Sequence, residues 1–419
     1  MAKTHVVVVG GGFGGLRAAE ELARNGYSVT LIDRNAYSTF QPLLYQVATG
    51  GLNPGDITYS LRSFTGRFRR TMRFRRATVT AIDSTQRRVI TDVGEPIPYD
   101  YLVLTVGVGA NYFGIPGAAE HARAIYTRAE ALEVRDLVFG RIEALTVADP
   151  GSCVSMVVVG GGATGVEMAG ALAEMKQQGL PIAYPEVDPD RVRIMLVEMG
   201  PHLLAPFARR LRNYTLKQVQ KRGVDVRLNT GIKAVQADSV TLTDGTTEQA
   251  DVVIWGAGIG GHAEVADWGL VQGAGGRLVV DDDLRAVGHD RIFAAGDCAL
   301  TPDHPLPQVA QPAIQMGLHA ARMILALDAG EPTRPFAYAD RGSMATIGRS
   351  AAVVELPVGP NLKGFPAWVA WVVLHLAYLL GGRNRIAAMV NLGFRYLMYP
   401  RSANAIIGDL DRGRPELER

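Results

Sequence analysis

Two cysteines in 419 residues, Cys153 and Cys298, exclude a disulfide framework and a cysteine-rich zinc site, and no C-x-x-C occurs. Net charge is nearly absent as well. Forty-three Lys and Arg against 41 Asp and Glu leave +2, so nucleic acid is not expected as a partner and any electrostatic function has to be local. Charged residues make up 20% of the chain and apolar residues 47%, a balance that excludes disorder and coiled coil. No signal-peptide pattern opens the sequence: the valines at 6–9 run straight into glycines, too short a stretch for the apolar part of a signal. The start is expected to belong to the fold and the protein to be intracellular. The eight histidines are scattered, with no metal-ligand spacing and no Ser-His-Asp arrangement, so no metal site is expected.

Glycine, by contrast, is abundant, at 48 residues, and it falls into patterns. HVVVVGGGFGGLRAAEELARNGYSVTLID (5–33) reads as a buried strand, a glycine turn, an amphipathic helix with Leu16, Ala19, Leu22 and Ala23 on one face, and a second strand ending at Asp33. The pattern returns at 155–175 in SMVVVGGGATGVEMAGALAEM, followed after an insertion near 176–190 by a strand at 193–197 and then Glu198. Further strands are expected at 101–105, 224–228, 251–255 and 291–295. The fold class is therefore α/β, with two Rossmann-like dinucleotide-binding domains and a separate C-terminal segment.

Each repeat carries the spacing that admits a pyrophosphate. In Gly10-x-Gly12-x-x-Gly15 the first glycine makes the tight turn, the second lets the anion approach the backbone, and the third brings helix and strand together. Asp33, 18 residues after Gly15, stands where a carboxylate accepts ribose hydroxyls. Gly160-x-Gly162-x-x-Gly165 repeats this with Glu198, 33 residues after Gly165. Two fingerprints imply two nucleotides, and the economical pair is FAD with a nicotinamide dinucleotide. Glu198 would repel a 2′-phosphate, favouring NADH; alternatively it is a solvated strand-end acid.

IFAAGDCA (292–299), with Gly296-Asp297, resembles the second flavin signature of two-dinucleotide-domain flavoproteins, whose aspartate meets the ribityl chain. The resemblance then narrows. FQPLLYQVATG (40–50), GVEMAG (165–170), AQPAIQMG (310–317), GSMATIGR (342–349) and AWVAWVVLHLAYLLGGRNR (367–385) together resemble the type II NADH:quinone oxidoreductases, single-chain respiratory flavoenzymes that do not pump protons. The resemblance implies an FAD-binding domain over 1–115 and 262–340, an NADH-binding domain over 116–261, and a membrane-anchoring region over 341–419. Cofactor contacts are implied at Gly10, Gly12, Phe13, Gly14, Gly15, Asp33, Arg34, Val79, Gly107, Gly296, Asp297, Ala310 and Gln311 for FAD. For NADH they are implied at Gly160, Gly162, Thr164, Gly165, Glu198 and Gly258.

The resemblance further implies a catalytic part for Gln311 and Gln315, which line the quinone site, and for Glu167, whose family counterpart handles protons or substrate near the rings. On the residues alone, two glutamines four apart share a helix face and offer neutral donors and acceptors, or satisfy backbone groups. Glu167 also suits a helix N-terminus as a plain acid. The chain departs from the family at Ser38, Val106 and Ala163, which puts local flavin packing in question. Sulfide:quinone and disulfide reductases share the architecture but need cysteine pairs; Cys153 and Cys298 read as packing residues.

The stretch 365–380 is interrupted only by His375 and spans about 24 Å as a helix, short of a roughly 30 Å hydrocarbon core. It is expected to lie on the membrane, with Trp368 and Trp371 at headgroup level and Lys363, Arg383, Arg385, Arg395 and Arg401 meeting anionic lipid before the first acid at Asp409. The second helix, 386–398, sets Asn391 and Arg395 opposite Ile386, Met389, Val390 and Leu397. A dimer interface and a true span are the alternatives. Seven arginines at 62–76 read as a solvated face. The expected enzyme passes hydride from NADH to FAD and electrons to a membrane quinone of the menaquinone or ubiquinone type, as a homodimer held peripherally on the cytoplasmic side of the cell membrane. The rivals are a soluble NADH-dependent reductase of a ferredoxin or rubredoxin and a non-catalytic nucleotide sensor.

Overall fold

The computed structural model describes residues 3–302 and 304–398. In chain order the elements that build the site are β1 (His5–Val9), α1 (Phe13–Arg24), β2 (Ser28–Asp33), α2 (Leu44–Ala48), β3 (Met72–Arg76), β4 (Tyr101–Leu104), β5 (Ala122–Ala124), α3 (Arg128–Leu145), β6 (Val154–Val159) and α4 (Ala163–Glu174). They continue with β7 (Val192–Val197), α5 (Arg209–Lys221), β8 (Asp225–Arg227), β9 (Val252–Trp255), β10 (Ile292–Ala294), α6 (Ala310–Asp328), β11 (Ser343–Gly348), β12 (Ala351–Glu355), β13 (Leu362–Gly364), α7 (Phe365–Tyr378) and α8 (Gly382–Met398). The insertion after α4 is one π turn, Met175–Gly179, and a short helical turn, Leu180–Ala183.

The chain divides into two compact units. Among the described residues, the first takes those up to Thr39, Tyr59–Gly109 and Ile259–Arg341, and the second takes Phe40–Thr58, Ala110–Gly258 and those from Gly342 to 398. Each is built on a five-stranded parallel sheet. In the first unit the order is β10-β4-β1-β2-β3, and in the second it is β5-β9-β6-β7-β8. The orders match strand for strand, with the fingerprint strand central in both. Only the outer strand differs in origin: β10 comes last in the first unit, whereas β5 precedes its own fingerprint. Val6, Val7 and Val8 are fully buried because both faces of a parallel sheet are covered, hence continuous valine runs instead of alternation.

These units are drawn differently from the domains expected from sequence. Residues 40–58 cluster with the nicotinamide-type sheet, not the flavin-type one, and the described residues from Gly342 to 398 belong to that same unit. There β11, β12 and β13 form an antiparallel sheet, and β11 lies against α4. Gly170 makes that approach feasible: a Cβ there would come within 2.3 Å of the Ile347 carbonyl oxygen. Thus the two motifs GVEMAG and GSMATIGR meet each other.

Among the described residues no helix is long and apolar enough to cross a membrane. The hairpin of α7 and α8 turns at Gly381, in the left-handed region at φ 83°. Its polarity is turned inward. Asn384 Nδ2 donates to the Thr58 carbonyl (2.6 Å) and Asn391 Nδ2 donates to Asp56 Oδ2 (2.6 Å), while Ile386, Met389 and Val390 are exposed. One expectation is corrected here: Trp371 is 1% exposed and so is no headgroup anchor, because helical spacing sends Ala367 and Trp371 inward and Phe365, Val369 and Val373 outward. Arg401 and Asp409, and the side chains of Arg395 and Leu397, lie outside the described residues.

Candidate active site

In the first unit β1 ends at Gly10, whose φ of 103° only glycine adopts freely and whose Cβ would lie 2.2 Å from the Thr105 carbonyl oxygen. A Cβ on Gly15 would meet Gly10 O at 1.9 Å, so the turn and the start of α1 press directly on each other. Gly12 is different: a Cβ there would meet nothing within 4 Å, which leaves its backbone facing open space at the N-terminus of α1. The N–H groups of the first helical turn point toward that opening and form an anion cradle, so the residues fit the pyrophosphate of FAD. Asp33 closes the motif. Its Oδ2 accepts the Gly11 N–H and its Oδ1 accepts the Asn35 N–H, each at 2.7 Å. Enclosure raises its pKa, and these two donors act against the rise.

The second unit repeats this in detail. Gly160 has φ 104° and would press a Cβ on Ala257 Cα at 2.7 Å; Gly165 would press one on Gly160 O at 1.8 Å; Gly162 again faces open space. Glu198 Oε2 accepts the Gly161 N–H at 2.5 Å and Oε1 accepts the Gly200 N–H at 2.6 Å. The sequence reading missed this function of Gly11 and Gly161, whose N–H groups hold the ribose-type acids in place. Each carboxylate oxygen keeps a lone pair for a hydroxyl. Thr164 is exposed at the helix start, and Gly258 leaves room for Phe113, whose ring would come within 2.3 Å of an added Cβ.

Other expected contacts fall as follows. Gly296 adopts φ 80°, and the Asp297 carbonyl accepts the Gln308 side-chain amide at 3.1 Å. Gly107 (φ 68°) is among the backbone groups around the Cys298 thiol, which burial pushes up to about 11, leaving it inert. Arg34 is exposed at the end of β2, Val79 is buried, and Phe13 and Gly14 open α1. Gly14 and Gly317 pack backbone against backbone, since a Cβ on Gly317 would lie 2.1 Å from Gly14 O. The small residues of AQPAIQMG therefore bring α6 onto α1. On α6, Ala310 begins the helix and Gln311 is half-buried without a hydrogen bond among the described residues. Gln315 is committed: Nε2 donates to the Ala339 carbonyl (2.9 Å) and Oε1 accepts the Ala339 N–H (3.0 Å).

Glu167 sits on α4. Protein encloses its carboxyl, although one edge stays accessible, and the enclosure pushes the pKa up to about 8. Against that push act the Thr346 N–H, which donates to Oε1 at 3.2 Å, and the Trp371 indole. Trp371 stacks on His375, with centroids 4.0 Å apart and planes at 23°, and meets Tyr45 edge-on at 6.2 Å. His375 Nδ1 donates to the Trp371 carbonyl at 2.7 Å, and enclosure lowers its pKa to about 4, so it is neutral. Among the described residues no His, Cys, Asp and Glu cluster could hold a metal.

Two parallel sheets, each with its own dinucleotide cradle and strand-end acid, define a two-dinucleotide oxidoreductase. A family model described as pyridine nucleotide-disulphide oxidoreductase matches residues 4–317. The chain belongs within that group to the type II NADH:quinone oxidoreductases. It is 36% identical to the type II NADH:quinone oxidoreductase NdhA of Mycobacterium tuberculosis, covering 97% of this chain and 90% of that protein. It is 34% identical to Ndh of the same organism, over 99% and 92%. The fold matches that of NDH2 from Plasmodium falciparum in complex with NADH, with a TM-score of 0.87, 21% identity, and 96% and 99% of the two chains covered. The sulfide:quinone oxidoreductase of Aquifex aeolicus matches less closely, at a TM-score of 0.75 and 21% identity over 92% of each chain.

Proposed function

We propose that the chain's own residues divide the NADH:quinone reaction as follows. The first cradle (Gly10, Gly12, Gly15, Asp33, with Gly296 and Asp297) holds FAD, and the second (Gly160, Gly162, Thr164, Gly165, Glu198, Gly258) holds NADH. Bound FAD supplies a centre that takes a hydride and releases electrons singly or in pairs. Gly12 and Gly162 admit pyrophosphate because nothing occupies the space above their Cα atoms. Glu198 accepts the adenosine ribose hydroxyls and opposes a 2′-phosphate. Glu167, protonated to a large extent at neutral pH, exchanges a proton during turnover. Gln311, without a hydrogen bond among the described residues, offers its amide to the quinone, while Gln315 fixes the 330–341 segment by two hydrogen bonds to Ala339.

The observation that carries the membrane part is the inverted polarity of the hairpin. Phe365, Val369, Val373, Ile386, Met389 and Val390 are exposed while asparagines point inward, which suits a bilayer surface and not water. Lys363, Arg383 and Arg385 flank that face without an acid between them, as anionic lipid requires. We place the enzyme on the cytoplasmic leaflet as a peripheral homodimer using a menaquinone- or ubiquinone-type acceptor. Anaerobic reduction of the purified protein by NADH, followed by reoxidation with a quinone series and with ferredoxin, tests the assignment. Flavin absorbance should bleach with NADH and return with quinone; return with ferredoxin alone would refute it.

A further inference from the structure

One helix of the second unit carries charge of a single sign. Between Glu198 and Asp225 the chain has no acid, and within that span α5 presents Arg209, Arg210, Arg212, Lys217 and Lys221. None of these five is ion-paired among the described residues. The three arginines stand in the first turn, where the positive end of the helix dipole opposes cations, and Lys217 and Lys221 repel each other four residues apart. A helix that keeps such local conflicts without a compensating contact marks a surface held for a partner. We propose that α5 is a second contact for the bilayer, in which Arg210, Lys217, Lys221 and the adjoining Lys363 form a stripe that binds the phosphates of anionic lipid beside the apolar hairpin. The inference rests on the membrane reading of the hairpin given above.

Geometry selects these four. At 3.6 residues per turn, positions 210, 214, 217 and 221 lie within about 60° of one another, clear of the side that buries Leu211, Thr215 and Val219. Tyr214, in the same row, joins the stripe to the hairpin. Lys363 Nζ lies 5.3 Å from the centre of its ring, a cation–π contact, and a Cβ on Gly364 would come within 3.5 Å of its hydroxyl. Gly364 caps α7, whose first residue, Phe365, is exposed, so the row of cations runs up to the edge of the apolar face. β12 explains the neighbourhood, since α5 and α7 both pack on it. The acids close to α5 are engaged elsewhere: Glu355 Oε2 accepts the Ala208 N–H at 2.9 Å, the buried Glu174 accepts the Arg349 N–H at 3.0 Å, and Asp225 pairs with Arg227 at 2.9 Å. Arg212 and Arg222 turn to the carbonyls of Ala205 (3.5 Å) and Gln218 (2.9 Å) and stay out of the stripe. Anionic lipid fits better than an acidic protein, because cations beside exposed Phe365 and Val369 match a surface that is charged outside and apolar within.

The test is cosedimentation of the full-length, flavin-loaded protein with phosphatidylcholine vesicles, with and without phosphatidylglycerol, at low and at high salt. Each cation on such a surface strengthens binding about fivefold, so Arg210→Gln with Lys217→Gln and Lys221→Gln should weaken binding to the anionic vesicles by about 100-fold and lessen its salt dependence. Binding to the neutral vesicles, which the hairpin alone supports, should stay within about twofold of the parent. Turnover with a water-soluble quinone should be unaltered. Arg210→Lys with Lys217→Arg and Lys221→Arg should bind as the parent does, which separates loss of charge from loss of fold. Arg69→Gln with Arg70→Gln and Arg73→Gln, three exposed arginines of the first unit, should have little effect. A loss on anionic vesicles of less than about threefold in the α5 variant, or an equal loss in the first-unit variant, would overturn the proposal. So would retention on immobilised polyglutamate that the α5 variant loses while its vesicle binding persists, which would make the stripe a contact for acidic protein. A parent that binds anionic but not neutral vesicles, and loses that binding with the stripe, would support the stripe and refute the apolar seating of the hairpin instead.

Discussion

Replacing Glu198 by Gln should change the choice of nicotinamide nucleotide, and the structure says by how much. The carboxylate is fixed by the Gly161 and Gly200 N–H groups at 2.5 and 2.6 Å, so it cannot swing away from an incoming 2′-phosphate. Two unit charges about 5 Å apart at an effective dielectric near 20 repel by roughly 3 kcal/mol, and solvent at this half-buried site reduces the effect to about 1–3 kcal/mol. The ratio of kcat/KM for NADH to that for NADPH should therefore fall by about 5- to 150-fold. Glutamine keeps one acceptor but sets an NH2 against one of the two backbone donors, so kcat/KM for NADH itself should drop, by about tenfold. Steady-state kinetics with both nucleotides at matched flavin content measures this. An NADH/NADPH ratio within twofold of the parent would refute the assignment of Glu198 to the ribose.

Other outcomes follow from particular contacts. Gln311→Leu should leave bleaching by NADH intact and slow reoxidation by quinone severalfold, whereas Gln315→Leu should chiefly lower stability, by about 1 kcal/mol or less in a urea melt, since it removes two exposed hydrogen bonds whose Ala339 groups water can then solvate. Val373→Asp with Ile386→Asp should cut binding to anionic vesicles tenfold or more with little change in Tm, because both side chains are exposed; unchanged cosedimentation would place the bilayer contact elsewhere. Glu167 binds its proton more tightly folded (about 8) than unfolded (about 4.5), so it stabilises the fold least at high pH. Stability should fall from pH 4.5 to pH 8 and then level, and Glu167→Gln should remove roughly 2–4 kcal/mol of that slope in urea melts at pH 5, 7 and 9.

The local chemistry of each nucleotide cradle is readable from sequence because it lies in one contiguous stretch, about thirty residues long in the first copy and about forty-five in the second, where the insertion intervenes. A valine run, a G-x-G-x-x-G and a strand-end acid specify one another by spacing, and both copies fold as that spacing demands. What remained hidden was whatever depends on pairing across the chain. Nothing in the sequence says that Gly170 faces Ile347 or Gly317 faces Gly14, since a glycine in a helix reads equally as a weak point. Gln315 looked like a ligand because its partner, Ala339, offers only backbone, which has no sequence signature.

Trp371 shows the limit most clearly. In an almost uniformly apolar helix no polar stripe marks which side is inward, so the tryptophans read as interfacial anchors. Direction is set instead by α8 and residues 40–58, where Asn384 and Asn391 bond to Thr58 and Asp56 and pin the hairpin. The few polar residues thus orient the many apolar ones. A hairpin pinned this way must leave an apolar surface outside and seat Trp371 inside, stacked on His375. The outer apolar face and the Trp371 seat are therefore two sides of one helix, and a substitution that rotates α7 about its axis should disturb both at once, seen as weaker vesicle binding together with a changed tryptophan fluorescence.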